Sequence, residues 1–332
     1  MPSPTARRRS AASRIPVVLW VLVVAAGLAA LVAALVPTGP EWLGGAGSVT
    51  IAASYTWALA ARTGGRPLVF GGLALAVGGL VLAVDEDYLR TGAAVMTCVV
   101  TAVFAVMATV PAPRYLQAIR ECVIAVLLSS IGALATVGFE PTITVTRFEY
   151  VTFGLSLAGA FLVVYRLGAG LHGLGRRGVV IVVVGGVLVA VSVLYAELIR
   201  RYGPPEVVEG LLDSVRWSRD TLGAFPRPIE TILGIPALAY GCHMRARRRQ
   251  GWWVCAFGAA GTAAVANALA NPAITFEESA LSVAYGLVLG LFFGYLVTRL
   301  DLALTGARGR GRRVAGGTAA VRPEPRRTEA LL

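Results

Sequence analysis

Long apolar runs joined by very short connections dominate this 332-residue chain. A bilayer core of ~30 Å takes about 20 apolar residues as helix. Eight runs meet that length: 15–36, 67–84, 92–110, 121–138, 150–168, 178–198, 251–271 and 280–299. Two are weaker. Residues 42–61 carry Ser, Thr and Gly44, Gly45 and Gly47, and residues 228–244 are short and contain Pro236. One stretch breaks the pattern. After Tyr202, the polar residues Glu206, Glu209, Asp213, Arg216 and Asp220 recur at three- and four-residue spacing, while Val208, Leu211, Leu212, Val215 and Leu222 centre on another face. This spacing predicts an amphipathic helix over 204–223, opened by Pro204 and Pro205 and closed by Gly223. It is too short and too charged to span. It is expected in the outer interface, with Val208, Leu211, Val215 and Leu222 buried, Trp217 in the interfacial belt and Arg216 paired with Asp213 and Asp220. A strut, a lid over an outward-facing cavity and a docking surface all fit it.

Charge decides the weaker spans. With ten spans and both termini inside, 23 of the 30 arginines lie on the cytoplasmic side and 14 of the 18 acids lie outside. Dropping the 42–61 span would turn "RARRR" at 245–249 and the Arg-rich tail outward, against the positive-inside bias. The expected fold is therefore all-α: a polytopic bundle of about ten spans over 15–300. A basic cytoplasmic segment precedes it (1–14), and an Arg-rich irregular tail follows (301–332).

Composition agrees. Only 14% of residues are charged, against roughly 25% in soluble domains. All 30 basic residues are Arg, a bias associated with GC-rich bacterial genomes, so the expected location is a bacterial plasma membrane. The formal charge of +12 reads as orientation signal and lipid contact rather than nucleic-acid binding. Cys98, Cys122, Cys242 and Cys255 form no C-x-x-C pair. The first apolar run is longer than the 7–15 residues of a signal-peptide core and reads as an anchor.

Catalytic signatures are missing. "GLSLAG" at 154–159 falls short of G-x-S-x-G, and His172 and His243 both sit at cytoplasmic span ends. No enzyme activity, cofactor or metal is expected. Ionisable residues fall at span ends rather than mid-span, which counts against a proton antiporter.

The substrate-binding candidates are Glu230, Gly234, Pro236 and Asn267. Pro236 and Gly234 interrupt a span, as at transporter sites, although ordinary bundles also accommodate such breaks. Glu230 suits the positive end of a helix dipole, and Asn267 suits an interhelical hydrogen bond. The packing candidates are Gly286, Gly290 and Gly294, spaced G-x-x-x-G-x-x-x-G, and the weaker series Gly72, Ala76 and Gly79. Either series serves close helix packing or homo-oligomerisation. "PTIT" at 141 and "PAIT" at 272 open two similar hairpin segments, a faint internal repeat.

Ten spans, both ends inside and about 300 residues resemble the drug/metabolite transporter superfamily in topology. The 204–223 helix departs from that family's short loops. In composition and tail the chain resembles multi-pass membrane proteins of actinobacteria, a resemblance that brings no residue roles. Two functions are expected. One is permease-like handling of a small or lipidic solute near residues 228–244. The other is a non-transporting role in envelope assembly or a membrane complex. Expected partners are membrane lipids, a second copy of the chain or an envelope protein.

Overall fold

The computed structural model describes residues 15–36, 39–142, 144–169, 202–247, 251–312 and 324–331, with short stretches between 179 and 199. Among them the chain is all-helical. The elements are α1 (Ile15–Ala34), α2 (Trp42–Arg62), α3 (Pro67–Val84), α4 (Asp87–Met107), α5 (Tyr115–Val137) and α6 (Val145–Val164), then α7 (Pro205–Leu222), α8 (Ile235–Arg245), α9 (Gly251–Leu269) and α10 (Phe276–Arg312). Wide i→i+5 turns extend α6 over Tyr165–Ala169 and precede α8 over Ile229–Gly234.

Among the described residues, seven helices are long and apolar enough to cross a membrane: α1, α3, α4, α5, α6, α9 and α10. They are consistent with a multi-pass membrane protein. The expected span 178–198 lies mostly outside the described residues. Within it, Gly185 lies against the Phe257 ring of α9, where a Cβ would stand 2.3 Å from the ring.

α2 explains its own weak hydropathy. Its hydroxyls turn back onto the helix, Ser48 to Gly44 O (2.9 Å), Thr50 to Ala46 O (2.8 Å) and Thr56 to Ala52 O (2.7 Å), so each donor is satisfied internally. Its glycines admit neighbours. A Cβ on Gly47 would meet Gly27 O of α1 at 2.9 Å. Tyr55 of α2 stacks on Trp20 of α1 at 6.1 Å and lies 5.1 Å from Phe104 of α4, tying three helices together.

α9 sits in the middle. All its residues from Gly251 to Ala268 are buried, and it packs against α4, α5, α6, α8 and α10. Alanine and glycine make up most of "CAFGAAGTAAVANA". A helix apolar all round is either lipid-facing or central. Small side chains favour the central place because they let several backbones approach.

The helix ends gather into two sets. At one end Arg62 of α2 donates to Met107 O at the close of α4 (3.0 Å), and Ala112 N donates to Cys242 O of α8 (2.9 Å). At the other, Arg90 bridges Asp85 (2.5 Å) and Glu140 (2.8 Å), Arg227 pairs with Glu149 (2.8 Å), and Arg219 pairs with Glu278 (3.0 Å). Asp85 and Glu140 thus have an arginine between them.

α7 lies at this second end and follows its expected boundaries. Pro205 opens it, and Gly223 closes it at φ 78, a left-handed cap that suits glycine. Tyr285 of α10 donates to Leu222 O (2.8 Å), and Arg216 pairs with Asp213 (2.8 Å). Only part of the apolar face expected in the interface is covered by the protein itself. Val208 and Val215 are half-buried and Ser218 is buried, but Leu211 and Leu222 are exposed, 40% and 46%. The contacts of the helix with α10 lie at its C-terminal end, through Arg219, Leu222 and Gly223, and Leu211, Leu212 and Trp217 are open. Glu209→Cys should therefore react rapidly with a membrane-impermeant maleimide and Ser218→Cys slowly. Equal rates would mean that the segment does not dock.

Within the chain, the contact of α3 with α2 falls one residue before the expected series. Gly72, Ala76 and Gly79 are exposed, and Cβ atoms on the two glycines would meet nothing within 4 Å. Gly71 and Gly78 make the contact instead. Cβ atoms there would stand 2.9 Å from Trp57 and from Val49 of α2. A one-residue step rotates the stripe by about 100°, and small residues on both faces leave its phase open in sequence.

Candidate functional site

The broken helix 229–245 is where the sequence candidates meet the fold. Pro236 has no N–H, and its ring crowds the carbonyl one turn earlier. The chain answers by widening that turn, and Ile235 N–H donates to Glu230 O. Such wide turns often occur at functional sites.

Glycines on both sides let this irregular backbone sit inside the bundle. A Cβ on Gly234 would stand 2.2 Å from the Cα of Gly261 on α9, so the two backbones touch. Along α10, a Cβ on Gly286 would meet Glu230 Cδ at 2.7 Å, one on Gly290 would meet Ile235 at 2.7 Å, and one on Gly294 would meet Ala239 at 3.1 Å. The α10 ridge is thus the bed on which the broken helix lies.

Glu230 stands out chemically. Its side chain is fully buried, and neither carboxylate oxygen has a hydrogen-bond partner. The nearby Arg227 is paired with Glu149. An ionised carboxylate in such surroundings costs several kcal/mol unless a proton or cation joins it. In sequence, Glu230 stands at a span end, suited to a dipole partner. The structure encloses it between α9 and α10.

Asn267 has a different neighbourhood. Thr152 of α6 donates to its Oδ1 at 3.0 Å, an interhelical hydrogen bond. Gly234, Pro236 and Glu230 share one element and its contacts with α10. Asn267 shares the α6–α9 seam instead.

A second cluster occupies the opposite end of the bundle. Arg245 is fully buried and faces Glu324 (2.5 Å), Thr109 Oγ1 (2.8 Å) and the Trp252 ring (3.4 Å to its centroid). Glu121, also fully buried, receives Arg120 (2.9 Å), Arg327 (2.7 Å) and Val110 N (3.0 Å). Arg62 donates to Arg326 O and Glu329 O, both at 2.6 Å, and Leu331 N returns a bond to Arg62 O (2.8 Å).

The C-terminal segment was expected to be irregular from Asp301 on. Instead α10 continues to Arg312, and residues 324–331 dock on these buried charges. In sequence, Arg62, Glu121 and Arg245 carry only a membrane sidedness. Their partners in the tail lie far away in sequence, so no local pattern announces them.

No protein-family model matches the chain, and neither a curated protein nor a solved structure matches it.

Proposed function

We propose that this is a ten-span protein of a bacterial plasma membrane, with both termini cytoplasmic, that handles a small or lipidic solute in a permease-like manner at the broken helix 229–245. Glu230 is its proton- or cation-responsive group. The observation that carries this reading is the enclosed Glu230 carboxylate, with both oxygens unpartnered. Ionisable groups inside membrane bundles are costly and mark solute and ion pathways. Interrupted helices are where transporters place such sites. The two sets of helix ends fit the alternation that ten crossings require, and the positive-inside bias assigns the docked tail to the cytoplasm.

A gene-deletion strain should show an altered lipid or metabolite profile that the wild-type gene restores and Glu230→Gln does not, at equal protein level. Full restoration by Glu230→Gln would remove Glu230 from the mechanism.

One observation favours a second reading. α7 leaves Leu211, Leu212 and Trp217 exposed on an otherwise glycine-packed bundle, which suits a non-transporting envelope protein that docks a partner there. In that case Trp217→Ala, with Glu230 intact, reproduces the deletion profile.

A further inference from the structure

The docked tail forms one wall of a cleft of about 950 Å³. Its other walls are the connection after α4 and the first turns of α5. Two kinds of surface line it. Val110, Pro111 and Ile124 are apolar, and Arg120, Arg245, Arg326 and Arg327 bring guanidinium groups.

The charges do not balance. Glu324 is committed to Arg245, while the single carboxylate of Glu121 is shared by Arg120 and Arg327. Four arginines thus face two carboxylates. Arg327 Nη1 is buried with no hydrogen-bond partner, although its Nη2 bonds Glu121. A buried guanidinium N–H without an acceptor is costly, and phosphate oxygens are a natural acceptor for the planar fork.

We infer that this cleft binds a phosphate group, and that the phosphate is the headgroup of an anionic phospholipid at the membrane face. The apolar wall argues for the lipid source, since Val110, Pro111 and Ile124 offer an acyl chain a surface beside the arginines. Exposed Leu116 lies on the first turn of the same helix, α5, at 78% exposure, as befits a side chain meeting lipid. Basic pockets between helices at the cytoplasmic face suit such headgroups. The site exists only with the tail in place, because Arg326 and Arg327 belong to the tail. Lipid and tail therefore stabilise each other's binding, as linkage requires.

The test uses the full chain in a neutral detergent, titrated with short-chain phosphatidylglycerol, with short-chain phosphatidylcholine and with inorganic phosphate alone, read by native mass spectrometry. The wild-type protein should bind phosphatidylglycerol in preference to phosphatidylcholine. Each arginine beside an anionic headgroup is worth about fivefold in affinity. Arg120→Gln should therefore weaken phosphatidylglycerol about fivefold, and Arg120→Gln with Arg326→Gln on the order of twentyfold. Both variants keep the Glu324–Arg245 and Arg327–Glu121 pairs, so unchanged thermal stability shows that the tail is still docked. Removal of residues 324–332 should abolish the preference. Displacement of phosphatidylglycerol by millimolar inorganic phosphate would retain the phosphate site but assign it to the free anion, overturning the lipid source. Equal binding of both lipids by the wild type, or a preference that survives the double variant, would overturn the site.

Discussion

Glu324→Ala should release the C-terminal segment and cost the protein on the order of 3 kcal/mol. Arg245 is fully buried, and Glu324 is its carboxylate partner through two contacts, at 2.5 and 3.3 Å. Removing one member of a buried pair leaves the other charge uncompensated, which costs about 3–5 kcal/mol. The lower end applies because Glu324 keeps some contact with solvent and Trp252 still covers the guanidinium. Proteolytic removal of a tag placed after Leu332 should become at least several-fold faster, and the melting temperature should fall. The double variant Arg245→Met with Glu324→Leu should regain much of the loss, since an apolar pair of similar volume carries no desolvation penalty. Unchanged proteolysis in Glu324→Ala would mean that the tail is held by other contacts.

Gly234→Val should be as severe. Its Cβ would fall 2.2 Å from the Cα of Gly261, backbone against backbone, where no side chain can swing aside. Overpacking in a dense core costs about 1–3 kcal/mol, and here it separates the wide turn from the central helix. The expected result is a protein that inserts but aggregates on detergent extraction. Gly72→Val, on the exposed face of α3, should be tolerated. Similar behaviour of both variants would contradict the packing described for α9.

The elements were largely legible in sequence, because a membrane helix writes its length as an apolar run. α7 was legible for a second reason, since Pro and Gly mark its two ends and its charges keep a helical period. The α10 ridge was legible as spacing, because three glycines four residues apart can only line one face. What lay hidden was the phase of α3, where Gly71 and Gly72, and Gly78 and Gly79, stand side by side. The central place of α9 was hidden too. Hydropathy treats a buried alanine helix and a lipid-facing one alike, and only the scarcity of large side chains separates them.

The candidate site was half legible. Pro236 and Gly234 signalled a break, but burial of Glu230 depends on Gly286, more than fifty residues away, which leaves room for the carboxyl group. The tail cluster gave no signal. Arg245 stands in a run of arginines where charge counting sees only sidedness, and Glu324 lies in a Pro/Arg-rich segment without periodicity. Pairing of that kind is a property of the folded bundle.

Glu230 is an enclosed carboxyl group within the bundle, with both oxygens unpartnered. Treatment of the purified protein with dicyclohexylcarbodiimide, an apolar reagent for carboxyl groups out of contact with water, followed by peptide mass mapping, tests it most directly. The expected result is an adduct on the peptide containing Glu230 that is absent in Glu230→Gln, while the exposed acids of α7 stay unmodified. An unmodified Glu230 peptide, with adducts confined to Glu206, Glu209 and Asp213, would contradict it.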